Sequence, residues 1–399
     1  MQKKFDLILF GATSFVGKIT CRYLLETYGI DKDLKWGAAG RSKTKLRELG
    51  LPDENLLVAD VRDTDSLKNM VNQSKVILTT VGPYGIYGES LIRLCAENGT
   101  HYGDLTGEVT WVAEMISRYD SIARSSGAMI INCCGFDSVP SDLGVHYLQR
   151  EAVARLGSPC TQIEMIVKKA KGGVSGGTVA SLLNMVEKAN DDPNLLKVLV
   201  DPYALCQSNH LPNPEQKDLH SAQYSELSEG WQGPFVMATI NTRVVHRSHS
   251  LLKQAWGKDF LYNEAVATGK GLKGWVGAQG VTISLAAIMT LSRLTLTRSA
   301  LKKLLPKPGE GPSQKLQDTG FYDLHFFGQT DDHQKIHTKV TGDRDPGYGS
   351  TAKIFAEAGI CLTKESSSLQ GGFSTPAVAL GDNYLDRLVS HAGLTFETL

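Results

Sequence analysis

The chain has 399 residues, 41% of them hydrophobic and 21% charged, and its 42 basic and 42 acidic side chains give a formal net charge of zero. This composition is typical of a folded protein of two or three domains. It excludes a disordered chain and a globally basic protein that coats nucleic-acid phosphates.

The cysteines and the amino terminus indicate a reducing compartment. The seven cysteines are scattered and contain no CxxC pair, which excludes a disulfide framework and a zinc site of that kind. The adjacent Cys133 and Cys134 are expected to be buried structural thiols. Because the first residues lead directly into a strand-like run without a signal-peptide core, we expect a cytoplasmic protein.

The first third of the chain alternates short apolar runs with segments of helical length. This alternation predicts βαβ units and a parallel sheet, because parallel neighbours need a crossover connection. We therefore expect an α/β fold with a Rossmann-type doubly wound parallel sheet over residues 1–150. The predicted strands are Phe5–Phe10, Leu34–Ala39, Leu56–Ala59, Lys75–Val81, His101–Leu105 and Ala128–Cys134. The predicted helices cover about 17–28, 42–49, 64–73, 88–98 and 110–126.

The pattern changes beyond Val153, where we expect a second domain of α/β or α+β type over 151–344, for substrate binding or dimerisation. The predicted elements are a strand at Ile163–Ala170, a glycine-rich turn at 172–177, a helix to about Ala189, loops over 191–234, a hairpin of Phe321–Phe327 and Lys335–Thr341, and helices at about 349–362 and 375–392.

A glycine-containing turn follows the first predicted strand and opens the first predicted helix. Gly11 permits a tight turn and Gly17 permits close helix–strand packing, while the helix N-terminus offers N–H groups to a pyrophosphate. Ser14 stands where a GxxGxxG pattern has its middle glycine. The alternative is a purely structural turn. The predicted nucleotide-binding residues here are Gly11, Ala12, Thr13, Ser14, Phe15, Val16 and Gly17.

The end of the second strand favours NADP over NAD. An NAD site usually has an acidic residue at this point, whereas Arg41 and Ser42 can meet a 2′-phosphate. Ser42 can equally be the N-cap of a solvated helix, and both interpretations can hold together. Asp60, after the third strand, is also assigned to cofactor binding.

Three polar, glycine-rich segments follow strands four, five and six, where ligands bind in doubly wound sheets. They are 81–88, 101–108 and 135–142. The residues expected to lie beside the nicotinamide half of the cofactor are Val81, Gly82, Pro83 and Tyr84. The candidate catalytic residues are Tyr84, Tyr87 and Asp137, and Tyr84 and Tyr87 are the candidate proton donors. For each side chain the alternative is structural: tyrosines pack half-buried, and residues such as Ser138 and Ser141 cap helices.

Other chemistries find no support in the sequence. GxSxG, HExxH and GxxxxGK[ST] motifs are absent, and the ten histidines show no metal-ligand spacing, so no metal is expected. His246-Arg-Ser-His249 is interpreted as a polar helical or loop surface.

An uncharged stretch, Gly274–Ser292, lies inside a basic window. Residues 270–307 contain seven basic side chains and no acidic one. Three interpretations remain open: an interfacial membrane contact, a buried helix with a solvated basic end, and a membrane-spanning helix. The basic residues are Lys270, Lys273, Arg293, Arg298, Lys302, Lys303 and Lys307.

Several of these segments together resemble the saccharopine dehydrogenase-like oxidoreductases. The motifs are FGATSFVG, AAGRSKTKL, VGPYGIYGESLIRLCAENGTHYGDLTGE, CCGFDSVPSDLG, PGEGPS and DPGYGSTAKIFAEAG. The chain is most similar to the branch with the bacterial trans-acting enoyl reductases and the animal saccharopine dehydrogenase-like proteins. The resemblance implies an NAD(P)-binding Rossmann domain completed by 345–399. Ser14 departs from the family's common GATGFxG form.

The resemblance also implies an activity. The enoyl reductases act on lipid intermediates in glycolipid synthesis, where NADPH gives hydride to the β-carbon and a general acid protonates the α-carbon. We therefore expect an NADP-dependent oxidoreductase of an enoyl or keto lipid-like substrate. It would lie in the cytoplasm at the inner face of the plasma membrane, and a homodimer is left open. The alternatives are a saccharopine-type amino-acid dehydrogenase and a non-catalytic nucleotide- or lipid-associated protein.

Overall fold

The computed structural model describes residues 3–30, 32–172, 192–293, 311–365 and 369–399, which form two seven-stranded sheets. The first sheet contains β1 (Phe5–Phe10), β2 (Trp36–Gly40), β3 (Leu56–Val58), β4 (Ser74–Thr79), β5 (His101–Asp104), β6 (Met129–Ile131) and β13 (Gly372–Ser374). Its order is β13-β6-β5-β4-β1-β2-β3, and all its pairs are parallel. The chain reverses direction across the sheet between β1 and β4, which confirms the predicted doubly wound fold.

Helices cover both faces of the first sheet, so its strands are nearly continuous apolar runs. β1 is buried at every position except Asp6. Polar caps mark where helices begin: Asp63 accepts hydrogen bonds from the N–H groups of Asp65 and Ser66. The helices are α1 (Phe15–Tyr28), α2 (Lys43–Arg47), α3 (Thr64–Asn72), α4 (Tyr84–Tyr87), α5 (Glu89–Asn98), α6 (Val109–Ser126) and α7 (Val139–Leu156).

The second sheet is mixed. It contains β7 (Gln162–Lys171), β8 (Gln223–Ser225), β9 (Gly230–Pro234), β10 (Leu261–Gly269), β11 (Phe321–Gln329), β12 (Lys335–Gly342) and β14 (Leu394–Thr398). The order is β14-β12-β11-β7-β10-β9-β8, with a parallel β7–β10 pair and antiparallel pairs elsewhere. Burial alternates along the predicted hairpin of β11 and β12, and Phe326 packs its ring against Gly144 of α7.

The remaining helices differ in part from the sequence-based prediction. They are α8 (Pro193–Val200), α9 (Ala238–Leu251), α10 (Gly271–Arg293), α11 (Gln314–Thr319), α12 (Thr351–Glu365) and α13 (Pro376–Arg387). The loops predicted over 191–234 contain α8 and two short strands. The helix predicted to end near Ala189 lies outside the described residues, as does the glycine-rich turn beyond Gly172.

The segment His246-Arg-Ser-His249 is buried in α9, so its interpretation as a polar surface is wrong. His249 stacks on Trp256 with ring centroids 5.1 Å apart, and His246 packs edge-on to Phe260. The helix carries many polar side chains inside the protein, and this hides its burial from a hydrophobicity pattern. Burial lowers the pKa of His249 to about 4, so its imidazole is neutral.

The C-terminal segment contributes to both sheets. β13 pairs with β6 in the first sheet and β14 pairs with β12 in the second. α12 packs on α1, where the buried Glu357 accepts hydrogen bonds of 2.6 Å from the hydroxyls of Tyr23 and Tyr28. Arg387 lies 2.7 Å from the same carboxylate. The domain boundaries given above remain predictions.

Helix α10 is long and apolar enough to cross a membrane, yet little of it is covered by protein. Of the most apolar 18-residue stretch within Gly271–Leu291, 11% is buried inside the protein. Gly274 and Ala278 pack against the edge of the second sheet, whereas Ile283 is 66% exposed and Ile288 46% exposed. The interpretation as a buried core helix is therefore wrong for this part. The basic residues Arg298, Lys302, Lys303 and Lys307 lie outside the described residues.

Candidate active site

The turn after β1 is the first element of the candidate site. Gly11 has φ +83°, which favours glycine, and a Cβ there would lie 2.6 Å from Thr80 Oγ1. A Cβ at Gly17 would lie 2.2 Å from the Gly11 carbonyl oxygen, so α1 begins in direct contact with the glycine turn. The turn connects the carboxyl end of β1 to the N-terminus of α1, the position of a nucleotide-binding turn.

The backbone conformation of Ser14 explains why the turn needs no glycine at its middle position. Its φ of −69° and ψ of 169° are extended backbone that requires no glycine. Its Oγ accepts a hydrogen bond from Gly17 N at 2.9 Å and lies 2.8 Å from Thr80 Oγ1, which itself donates to the Gly11 carbonyl at 3.0 Å. Ser14 thus caps α1 and leaves the first two N–H groups of the helix for an anionic ligand.

The carboxyl ends of β2 and β3 carry the other predicted nucleotide contacts. Ser42 caps α2 by accepting from Lys45 N at 3.4 Å, as the structural alternative predicts. Asp60 accepts from Arg62 N at 3.0 Å and so shapes its own turn. Arg41 is exposed and forms no ion pair within the described residues. These residues fit NADP. Gly11 and Gly17 leave no room for a side chain beside the backbone of the turn, the first N–H groups of α1 are open to a phosphate, and the guanidinium of Arg41 is exposed. Direct contact with the cofactor remains a prediction.

The segment after β4 is rigidly held. Val81 N donates to Thr79 Oγ1 at 3.2 Å, and the Gly82–Pro83 peptide bond is cis. Tyr84 is buried, and its hydroxyl donates to the Thr79 carbonyl at 3.0 Å and accepts from Leu105 N at 3.1 Å. Burial and the nearby Asp104 carboxylate raise the pKa of Tyr84 well above its usual value. Because this hydroxyl is committed to the backbone, the geometry disfavours Tyr84 as a proton donor.

Two buried carboxylates that sequence reasoning did not single out shape the loops at this edge. Asp104, the last residue of β5, accepts from Asn132 Nδ2 at 2.7 Å and from Cys133 N at 3.0 Å. Burial raises the pKa of Asp104 to about 6. Glu108 accepts from Tyr84 N at 2.8 Å and so fixes the start of α4. An acidic residue at the end of a buried strand was the available sequence signal.

Asp137 and Tyr87 remain as candidate catalytic residues. Asp137 follows β6, is partly buried, and forms no hydrogen bond with any described residue. Burial raises the pKa of Asp137 to about 6. Tyr87, at the end of α4, is also partly buried. The neighbouring Cys133 is a buried thiol, as expected, and burial raises its pKa well above the usual value, which makes it a poor nucleophile.

Two expectations about side chains after β6 differ from the structure. Ser138 occupies the N-cap position of α7, but its hydroxyl bonds to Asn241 instead of capping the helix. Ser141 likewise receives a hydrogen bond from Asn241. Within the described ranges, no three His, Cys, Asp or Glu side chains are grouped closely enough to hold a metal ion.

Comparisons with known proteins identify the family of the chain. Residues 7–131 match the family model of the saccharopine dehydrogenase NADP-binding domain. A putative trans-acting enoyl reductase of Mycobacterium tuberculosis is 37% identical over 99% of this chain and 98% of its own length. A trans-acting enoyl reductase of Mycobacterium ulcerans is 35% identical over 97% of this chain and 96% of its own.

Among solved structures, the saccharopine dehydrogenase (L-Glu forming) of Saccharomyces cerevisiae has a similar fold. Its TM-score is 0.54 at 12% identity, and the match covers 99% of this chain and 100% of the yeast chain. At that identity the likeness concerns the fold alone. The nucleotide-binding turn, the doubly wound sheet and the full-length relatives lead to one conclusion. The chain belongs to the saccharopine dehydrogenase-like oxidoreductase family, in the trans-acting enoyl reductase branch, and is an NADP-dependent oxidoreductase.

Proposed function

We propose that this protein reduces the carbon–carbon double bond of an enoyl lipid-like substrate. The observation that carries the proposal is Asp137, a carboxyl without a partner in the described residues at the carboxyl edge of the nucleotide-binding sheet. NADPH, when bound, supplies the hydride that forms the new C–H bond at the β-carbon. The electron pair of the double bond then takes a proton at the α-carbon, and solvent returns a proton to the enzyme.

Asp137 suits the proton step because its pKa is raised to about 6. At neutral pH about a tenth of such carboxyls carry a proton, and the remainder regain one readily from water. Its partial exposure leaves a route for that exchange. Tyr84 contributes by holding the segment after β4 in place, through hydrogen bonds to Thr79 and Leu105.

The relatives named enoyl reductases support the enoyl group as the reacting centre. The alternative, a saccharopine-type substrate, would need cations for several carboxylates. The buried Arg243 is engaged by Asp218 at 2.6 Å, and Arg247 donates to the carbonyls of Leu205 and Phe373. These two guanidinium groups are therefore engaged within the protein, which favours an uncharged, lipid-like substrate.

The test is NADPH oxidation with an α,β-unsaturated acyl thioester, compared with a β-keto acyl thioester and with saccharopine plus NADP. We expect deuterium from labelled NADPH at the β-carbon and deuterium from heavy water at the α-carbon. Asp137→Asn should lower turnover about a hundredfold and leave NADPH affinity unchanged. Tyr87→Phe is the matched comparison: loss of turnover there, with a fully active Asp137→Asn, would contradict the role of Asp137.

We propose a peripheral contact of α10 with the inner face of the plasma membrane. The support is an exposed apolar helix beginning beside Lys270 and Lys273, because cations bordering apolar surface favour anionic lipid. We expect cosedimentation with anionic liposomes that weakens at high salt. Ile283→Asp with Ile288→Asp should abolish it. Val153→Asp, at an equally exposed site on α7, should not. Absence of wild-type binding at low salt would contradict the proposal.

We also propose a homodimer through the outer face of the second sheet. That face carries the exposed Phe321, the stacked rings of Phe327 and His337 at 4.2 Å, and charges of both signs in Asp323 and Lys339. A face with both signs can be complementary to itself, as a two-fold interface requires. Light scattering on a sizing column should give twice the chain mass, and Phe321→Glu should give a monomer. A wild-type monomer at micromolar concentration would contradict the proposal.

A further inference from the structure

A buried hydrogen-bond chain joins the second sheet to the loop that carries Asp137. Ser138 Oγ donates to Asn241 Oδ1 at 3.0 Å, and Asn241 Nδ2 donates to Glu264 Oε2 at 2.9 Å and to Ser141 Oγ at 3.2 Å. These four polar side chains are at most 2% exposed. The chain therefore runs from β10 through α9 to the first turn of α7, shielded from bulk solvent.

The hydrogen bonds of this chain have a fixed direction while Glu264 is ionised. Glu264 also accepts a hydrogen bond of 2.7 Å from the Tyr262 hydroxyl, and Ser141 is a further hydrogen-bond partner, so three side chains face its carboxyl group. A buried carboxylate without donors is costly, which holds the amide N–H of Asn241 towards Glu264. The amide oxygen of Asn241 must then face Ser138, where it accepts the hydroxyl proton. Glu264 thus sets the orientation of Asn241, and Asn241 sets the position of Ser138.

Side chains attach the loop after β6 at three points, and a backbone hydrogen bond of 2.8 Å from Cys134 N to the Asp104 carbonyl adds a fourth. Asp104 accepts an N–H near its start at 3.0 Å, and Thr351 Oγ1 accepts an N–H in its middle at 3.2 Å. Asn241 holds its end through Ser138. Asp137 lies between the last two attachments and forms no hydrogen bond with the described residues. Its placement therefore depends on its two neighbours in the loop, of which Phe136 is held by Thr351 and Ser138 by Asn241 of α9.

We propose that Asn241 is a positioning residue that acts through Ser138 to hold Asp137 in place for proton delivery. The inference rests on the proposed function of Asp137. It adds that residues beside and within the second sheet influence the proton transfer at the edge of the first sheet, because Asn241 on α9 and Glu264 on β10 orient the loop that carries Asp137. The alternative is that Asn241 only fills the boundary between the two sheets.

The test compares Ser138→Ala, Asn241→Ala and the double variant. If Asn241 acts through Ser138, both single variants and the double variant should have the same effect on Asp137. Thr242→Ala is the matched control. Thr242 is buried beside Asn241 on the same helix, and its hydroxyl bonds only within α9 and to the adjacent Arg243. Melting temperatures of all four variants identify any that fail to fold, and Asn241→Ser then replaces Asn241→Ala.

Two measurements do not require turnover. Hydrogen exchange of the amides in 135–142 should become about fivefold to tenfold faster in the three variants and stay unchanged in Thr242→Ala. The ionisation of Asp137 can be followed by carbon-13 NMR of aspartate-labelled protein, with Asp137→Asn to assign its signal. A looser loop admits water, so the acid dissociation constant should rise about threefold in all three variants, as the pKa falls towards its usual value.

A third measurement uses the α,β-unsaturated acyl thioester as the probe. In an active enzyme, kcat should fall in the three variants with KM unchanged, and its pH profile should shift with the Asp137 ionisation. If the wild type reduces no probe, the proposed function fails while exchange and NMR still decide the positioning role. Additive effects in the double variant, or an Asp137 ionisation unchanged in Asn241→Ala, would overturn the inference.

Discussion

At the scale of single residues, the candidate site is shaped by a few polar atoms with several partners each. Thr80 Oγ1 bonds both Ser14 Oγ and the Gly11 carbonyl, which joins the segment after β4 to the nucleotide-binding turn. Asp104 performs the same task between the loops after β5 and β6. Because each such atom joins two loops, small changes at these positions should alter ligand binding as well as stability.

Gly17→Ala tests the nucleotide-binding turn. Its Cβ would meet two backbone atoms, the Gly11 carbonyl oxygen at 2.2 Å and Ala12 Cα at 2.9 Å, neither of which can rotate away. We expect NADPH affinity to fall at least about tenfold, because overpacking costs roughly 1–3 kcal/mol. Fluorescence titration with NADPH measures it. Gly280→Ala, where a Cβ meets nothing within 4 Å, is the control. Wild-type affinity in Gly17→Ala would contradict the assignment.

Arg41→Ala tests the recognition of the 2′-phosphate. Charge-assisted hydrogen bonds are worth about 1.5–3 kcal/mol, so we expect NADPH affinity to fall about tenfold to a hundredfold. NADH lacks that phosphate, and its affinity should not change. The same titrations on Lys45→Ala, an exposed neighbour on α2, should match the wild type. An equal loss for both cofactors would show that Arg41 serves another purpose.

At the scale of elements, contacts between distant segments hold the nucleotide-binding sheet together. α12 and α13 lie more than 300 residues from α1 in the chain, yet the carboxylate of Glu357 is shared by the hydroxyls of Tyr23 and Tyr28 and by Arg387. β13 adds a seventh strand beside β6. The loops of the site thus depend on the C-terminal segment for their support.

Glu357→Gln tests this contact between helices. The substitution keeps a carbonyl for the tyrosine hydroxyls but leaves the largely buried Arg387 without its anion. We expect the free energy of unfolding to fall by about 2 to 3 kcal/mol, less than for a fully buried pair because Arg387 keeps some contact with water. Urea denaturation measures it. Glu97→Gln, in an exposed pair with Arg93, should cost about 0.5 kcal/mol or less.

At the scale of the whole molecule, burial moves the pKa of many groups in opposite directions. It raises the pKa of Asp104 and Asp137 to about 6 and of Asp142 and Glu264 to about 7. The buried imidazoles are affected in the other direction: the pKa of each falls to about 4 in His101, His249 and His337. Near neutral pH the folded chain therefore binds protons on these carboxyls that the unfolded chain does not bind, and the unfolded chain binds protons on these imidazoles that the folded chain does not bind.

These opposed shifts predict that stability increases as pH falls from about 8 towards about 6. As pH falls through 7, the four raised carboxyls bind protons only in the folded state, which increases stability. Below about 6.5 the three histidines bind protons only in the unfolded state, which offsets part of this gain and slows the increase. Melting temperatures from pH 5 to 8 measure this. Asp142→Asn should reduce the gain between pH 8 and 6.5, and the exposed Asp53→Asn should not. A steady rise in stability up to pH 8 would contradict the prediction.

The sequence by itself determined the features that local chemistry controls. Strand runs, the helical segments between them and the glycine turn at Gly11 and Gly17 follow from periodicity and backbone freedom over a few residues. The placement of Arg41 and Asp137 at strand ends follows from the parallel topology. These signals, with the family motifs, were sufficient for the Rossmann-type fold, the cofactor class and the membership of the family.

The tertiary structure decided what depends on partners far away in the chain. Tyr84 was a candidate acid until its hydroxyl was found between two backbone groups, and Ser138 was a candidate cap until Asn241, 103 residues away, was found to hold it. α9 is polar in sequence and buried in the molecule, while α10 is apolar in sequence and exposed. Burial and hydrogen bonding are properties of the assembled neighbours, and no local pattern encodes which neighbours those are.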